Sequence, residues 1–224
     1  MPSLPPTPLP PTIDRLLVFP LPEAHLFPHA LLPLHVFEPR YRELARDCLA
    51  GDKRMAVPLL APGWQSDYEG RPPLVPVCGA GEVVQSHRRP DGRYDLLLRG
   101  LGRVRIVEEL PPSHPYRAVR AVRLDDVRGD ERTLREGARA LLALVDRVAA
   151  VLPSGGDTLR ALARQDDDPA ALSDVIGAAL VTAPEQRQAL IEELDVAARL
   201  DAVAAIAAEL VARLQPLGHG PARN

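Results

Sequence analysis

The 224-residue chain contains two cysteines, one tryptophan and one lysine. Cys48 lies in a helical pattern and Cys78 in a strand-like one, and their spacing fits neither a disulfide framework nor a metal ligand set. Both read as small buried apolar residues, the usual environment of a free cysteine. The single lysine, Lys53, follows Gly51-Asp52; no G-x-x-x-x-G-K-[ST] loop exists, which sets aside nucleotide hydrolysis. No G-x-S-x-G turn presents any of the six serines (Ser3, Ser66, Ser86, Ser113, Ser154, Ser173) as a nucleophile. No apolar run approaches the ~18 residues needed to cross a bilayer. The first twelve residues hold six prolines and no basic leader. These absences point to a soluble, cytoplasmic protein with no catalytic residue, no cofactor, no bound metal and no membrane partner.

What is present is ordinary in bulk: 46% apolar and 25% charged residues suit one or two globular domains. A net charge of −3 gives no global pull toward nucleic acid.

The organising stretch is residues 26–45. The apolar run 31–37, punctuated by Pro33, breaks at Glu38-Pro39 into a helical pattern carrying Tyr41, Leu44, Ala45 and Cys48. Proline suits the first helical position, with Glu38 as helix-start acceptor. Residues 15–20 read as a preceding strand, 55–60 as a following one, and 61–73 as a Gly/Pro loop holding Trp64 and Tyr68. Strand character resumes at 75–84. Pro90-Asp91-Gly92 marks a hairpin between 83–87 and 94–98, Gly100 and Gly102 mark the next turn, and 103–107 and 116–124 close the series.

From Leu134 the character changes. Ala138, Leu141, Val145, Val148 and Leu152 continue a helical stripe. Pro153-Ser154-Gly155-Gly156 ends it, and Asp157 is placed to cap a short helix. Asp168-Pro169 starts another. Thr182 with Glu185 has capping-box spacing, and residues 195–214 form the last helix. The expected class is α+β: a disordered arm at 1–12, a small β-barrel with one early helix at 13–126, a helical bundle at 127–216 and a flexible tail at 217–224.

Four features invite a binding or chemical role. His25, His29 and His35 lie near Glu38, but their loop and strand spacing lacks helical ligand geometry, so they read as surface or packing residues. Asp166-Asp167-Asp168 reads as a cap, not a calcium loop. Arg99, Arg103, Arg105, Arg117, Arg120 and Arg123 could line a sheet face and meet phosphates, the basis of an alternative RNA-binding reading; nearby Glu108, Glu109, Asp125 and Asp126 favour a balanced, solvated face. Trp64, in a polar loop, serves either as a core cap or as an exposed anchor.

Several segments resemble the N-terminal substrate-binding domain of Lon proteases: Phe19-Pro20-Leu21, Leu26-Phe27-Pro28, Leu32-Pro33-Leu34-His35-Val36-Phe37-Glu38-Pro39-Arg40-Tyr41, Val77-Cys78-Gly79, Asp91-Gly92-Arg93 and Gly100-Leu101-Gly102-Arg103. Residues 172–181, Gln188-Ala189-Leu190-Ile191-Glu192 and Arg199-Leu200 extend the likeness over residues 13–214. The resemblance implies a PUA-like pseudo-barrel followed by a helical bundle, with Pro33, His35, Phe37, Glu38, Arg40, Tyr41, Asp91, Gly92, Gly100 and Arg103 as structural positions. It also implies recognition of unfolded or partly folded polypeptides at an apolar concavity between barrel and bundle, with Trp64, Tyr68 and Phe27 as peptide contacts. A protease or chaperone partner and weak self-association are further implications. The ATPase and Ser-Lys peptidase of the full-length proteases have no counterpart in the sequence, so a stand-alone, non-catalytic module is expected. His29 departs from the pattern, standing where the family usually has the glycine that favours a tight turn.

Overall fold

The computed structural model describes residues 7–68 and 70–214. In chain order these form β1 (Thr12–Val18), β2 (Leu31–Val36), α1 (Pro39–Ala50), β3 (Arg54–Val57), β4 (Val77–Arg88), β5 (Tyr94–Glu109), β6 (Arg117–Leu124), α2 (Glu131–Val151), α3 (Gly156–Ala163), α4 (Pro169–Leu180), α5 (Pro184–Glu192) and α6 (Val196–Leu214), with a 3-10 turn at Trp64–Asp67. This is the α+β arrangement expected, a sheet domain followed by helices. Two compact units result, one of residues up to Asp126 together with Thr182–Leu194, the other of Val127–Val181 with the chain from Asp195.

In the first unit the sheet order is β2-β5-β4-β3-β1-β6, and β5 also pairs with β6. Five strands therefore close on themselves, and β2 is added outside the circle. Strand β5 makes this possible. Its first half pairs with β2, from Tyr94 opposite Val36 to Arg99 opposite Leu31, and its second half pairs with β6 from Arg103 opposite Leu124. The turn expected at Gly100 and Gly102 is instead the middle of this one 16-residue strand. A Cβ on Gly100 would lie 1.9 Å from the Phe27 carbonyl oxygen, so glycine is required there for close approach of two backbones. The Pro90-Asp91-Gly92 hairpin forms as expected, with Gly92 at φ +82° and the Asp91 carboxylate accepting from the Arg93 N–H at 3.0 Å.

Alternation along β1 sends Leu17 into a core shared with Phe19, Leu34, Val36, Tyr41, Leu44 and Met55, and sends Leu16 and Val18 into a second with Ala56, Cys78, Val104 and Val119. Leu9, 1% exposed, belongs to the second core. The arm expected to be disordered through residue 12 is thus fixed from residue 7: Arg54 Nη2 donates to the Thr7 carbonyl at 3.1 Å and Arg123 Nη1 to that of Leu9 at 2.6 Å. Its first six residues, and the tail at 217–224, lie outside the described residues.

Helix α5 also packs in the sheet unit, which interrupts the continuous bundle expected at 127–216. Gln188 Nε2 donates to the Val77 carbonyl at 3.0 Å, and the Arg187 guanidinium covers the Phe27 ring at 5.1 Å. Its cap differs as well: Ala183 precedes Pro184 with no side-chain cap, because Thr182 falls one residue too early. Gly155, at φ +79°, stands at the start of α3 in place of the expected Asp157, whereas Asp168 caps α4 by accepting from the Ala170 N–H.

The second unit packs α2, α3, α4 and α6. The α2 stripe buries Leu134, Leu141, Val145 and Val148, and α6 buries Leu200, Val203 and Ala207. Arg199, fully buried, donates through Nε to Ser173 Oγ at 3.0 Å and pairs with Asp174 at 3.2 Å.

Candidate functional site

Strand β2 has apolar residues on both faces. Leu34 and Val36 enter the core, while Leu31, Pro33 and His35 face outward, as does Phe37 just past the strand's end, Leu31 and Phe37 each 58% exposed. The strand pairs only with β5 among the described strands. Such an edge tolerates Pro33, whose missing N–H can face away from the ladder. His35 is held by Asp95 directly opposite, Nδ1 to Oδ1 at 2.7 Å, and its ring stacks near Phe37 at 6.2 Å.

Beside this row lies an apolar groove of about 360 Å³, bounded by Phe19, Pro20 and Leu21, by Pro33 through Glu38, and by Tyr41 and Tyr68. It is built wholly within the sheet unit. Phe19 and Tyr41 pack ring to ring at 4.6 Å. Burial, the largest cause, pushes the Tyr41 hydroxyl up to about 12, so it stays neutral at physiological pH. The volume suits one or two apolar side chains.

Glu38 stands at the helix start, but its carboxylate makes no cap hydrogen bond. It accepts instead from the Tyr68 hydroxyl at 2.5 Å and from Arg40 Nε at 3.0 Å. The Arg40 guanidinium in turn donates to the Tyr68 carbonyl and lies over the rings of Tyr41 and Tyr68. These contacts fasten the loop 61–73 against the start of α1. A carboxylate with two nearby donors forms stronger bonds there than at one orphan backbone N–H, which explains the lost cap.

Of the expected peptide contacts, Tyr68 lines the groove. Trp64 packs edge-on behind it at 5.4 Å and is half-buried. Phe27 is 1% exposed beneath Arg187 and offers no surface to a ligand; that expectation is corrected. The outward row of β2 falls among the positions expected to be structural, and the geometry makes it the most exposed apolar feature of the site. Its signal is present in the run 31–37, where both strand faces are apolar although an edge strand needs only one.

The histidines do not converge. His25 is buried, His29 occupies the left-handed region at φ +62° in an exposed turn, and His35 lies on the outer face of β2. Burial pushes both cysteine thiols up to about 12, which keeps them protonated and inert.

The arginine face is largely neutralised. Arg99 pairs with Glu82, Arg120 with Glu108, Arg123 with Asp125, and the buried Arg117 with Glu109. Arg103, 2% exposed, donates to the carbonyls of Ile191 and Leu190 instead of facing solvent. Among the described residues no helix is long and apolar enough to cross a membrane.

Residues 15–209 match the family described as the substrate-binding domain of ATP-dependent protease La (LON). A Lon protease of Roseiflexus castenholzii is 31% identical over 87% of this chain, and one of Desulfosudis oleivorans 24% identical over 83%. The chain spans about a quarter of the length of these curated relatives, 24% and 23% respectively. Among solved structures, the N-terminal domain of Mycobacterium avium complex Lon protease superposes with a TM-score of 0.66 at 19% identity, covering 88% of this chain and 99% of that one. A Lon N-terminal domain protein from Xanthomonas campestris does so with 0.60 at 25%, covering 86% and 98%. With the family match running over residues 15–209, most of its length, the chain belongs to the Lon substrate-binding domain family.

Proposed function

We propose that this chain is a non-catalytic recognition module for extended, apolar segments of unfolded or partly folded polypeptides, acting as an adaptor alongside a protease or chaperone. The observation that carries this reading is the outward row of Leu31 and Pro33 on the edge strand β2 and Phe37 just past its end, directly beside the apolar groove. A peptide laid along β2 adds main-chain hydrogen bonds at the strand edge and places alternate side chains over Phe37 and into the groove. Pro33 interrupts that edge, which favours short, weak engagement over strand-to-strand aggregation.

The test is calorimetric titration of the chain with a permanently unfolded model protein. Burying a side chain such as Phe37 is worth about 1.5–3 kcal/mol, so Phe37→Glu should weaken binding by about tenfold or more. Wild-type binding to the unfolded protein that is undetectable, or equal to that of Phe37→Glu, overturns the reading.

A further inference from the structure

In the sheet unit, Glu43, Asp47 and His114 bring one ligand atom each to within 4.8 Å of one another, the only such group of His, Cys, Asp and Glu among the described residues. Glu43 and Asp47 lie four apart on α1, so one carboxylate stands above the other on the same helix face. Like charges at this spacing repel. His114 arrives from a separate segment, the connection between β5 and β6, with Nδ1 3.5 Å from Glu43 Oε1. It adds a nitrogen donor to two oxygen donors.

One buried side chain orients two of these three groups. Tyr116, 3% exposed, lies parallel to the His114 ring at 4.9 Å and 9°, and its hydroxyl donates to Asp47 Oδ2 at 2.8 Å. Arg15 Nη2 donates to the same hydroxyl at 3.4 Å. An outer hydrogen bond such as that of Tyr116 to Asp47 fixes metal-ligating carboxylates in known sites. Arg46 contacts both carboxylates, at 2.9 Å to Asp47 and 3.7 Å to Glu43, but its side chain is 62% exposed and can leave into solvent when a stronger cation arrives.

We propose that Glu43, Asp47 and His114 bind a divalent first-row transition metal, with Zn²⁺ the best match, and so tie α1 to the β5–β6 connection. Mixed imidazole and carboxylate donors suit Zn²⁺, which accepts three protein ligands and a water. Ca²⁺ and Mg²⁺ take six or more ligands, nearly all oxygen, and fit this set poorly.

Metal-stripped chain titrated with ZnCl₂ by calorimetry near neutral pH, with melting measured in parallel, tests the site. The expected result is one equivalent of Zn²⁺ bound with a raised melting temperature. His114→Ala should abolish that binding, and Tyr116→Phe, which keeps the ring but frees Asp47, should weaken it about tenfold. Arg46→Ala should strengthen it by removing the competing cation. His87→Ala, an exposed histidine outside the cluster, should change nothing. Zn²⁺ affinity unchanged in His114→Ala, no binding by wild type, or Mg²⁺ and Ca²⁺ bound as tightly as Zn²⁺ overturns the proposal.

Discussion

Arg103 Nε donates across 3.0 Å to the carbonyl oxygen of Ile191, so a strand residue closes the last turn of a helix 88 positions later in the chain. Helix ends leave such carbonyls without partners, and a cation there also meets the negative end of the helix dipole. Arg103→Ala should lower stability by about 2–3 kcal/mol, the value of hydrogen bonds to a charged group. Arg103→Lys should recover only part of this, because an ammonium lacks the planar fork. Urea unfolding midpoints measure both, and an unchanged midpoint for Arg103→Ala would refute the role.

The Glu38–Tyr68 hydrogen bond makes a second prediction distinct from helix capping. Glu38→Gln and Tyr68→Phe should each cost about 1–2 kcal/mol, and the double variant should cost less than their sum, because the two groups share one interaction. A cap role for Glu38 alone would make the two losses additive. Thermal or urea denaturation of the four proteins in the cycle decides between them.

His25 is 5% exposed and neither ring nitrogen has a hydrogen-bond partner of normal geometry. Burial first, and the Arg187 charge second, lower its pKa to about 4 from the ordinary 6.5, against smaller opposing effects of Gln188 and the Glu23 backbone. The unfolded chain therefore takes up a proton at this residue before the folded one does, so stability is complete above about pH 6.5 and is lost as pH falls toward 4. The loss reaches about 3 kcal/mol, since each tenfold change in proton affinity is worth about 1.4 kcal/mol. His25→Leu, of similar size and without the unpaired nitrogens, should keep or raise stability at neutral pH and flatten the slope between pH 6.5 and 4. Denaturant titrations across that range show it; an equal slope in both proteins would exclude His25 as the cause.

In the helical unit, Asp174 and Arg199 are both fully buried. Asp174→Ala should destabilise by about 3–5 kcal/mol, since it leaves a buried cation short of its counter-charge. Replacing both, Asp174→Leu with Arg199→Met, should restore much of that loss. Equal melting of the single and double variants would show that the pair is not coupled.

Much of the architecture is legible in the residues alone. Pro39 and Pro169 at first helical positions, Asp91-Gly92 at a hairpin and the α2 stripe ending near Leu152 are local signals, and each acts within a turn or two of its own residues. The errors share an opposite cause. Glu38 has the chemistry of a cap, yet a tyrosine hydroxyl 30 residues away supplies a better donor. Gly100 reads as a turn because glycine ends strands, but here it admits the Phe27 backbone. Phe27 is expected to contact a peptide, yet Arg187, far along the chain on α5, covers its ring.

By itself the sequence determined the class, the order of elements and the family, because periodicity, proline and glycine act locally and the matched segments keep their order. Only the tertiary structure decided which apolar residues face outward, which arginines are already paired, and that α5 joins the sheet. Those outcomes depend on contacts between residues far apart in the chain. Local pattern marks which residues are apolar and how they alternate, but the partner that covers or pairs each one comes from elsewhere in the packed chain.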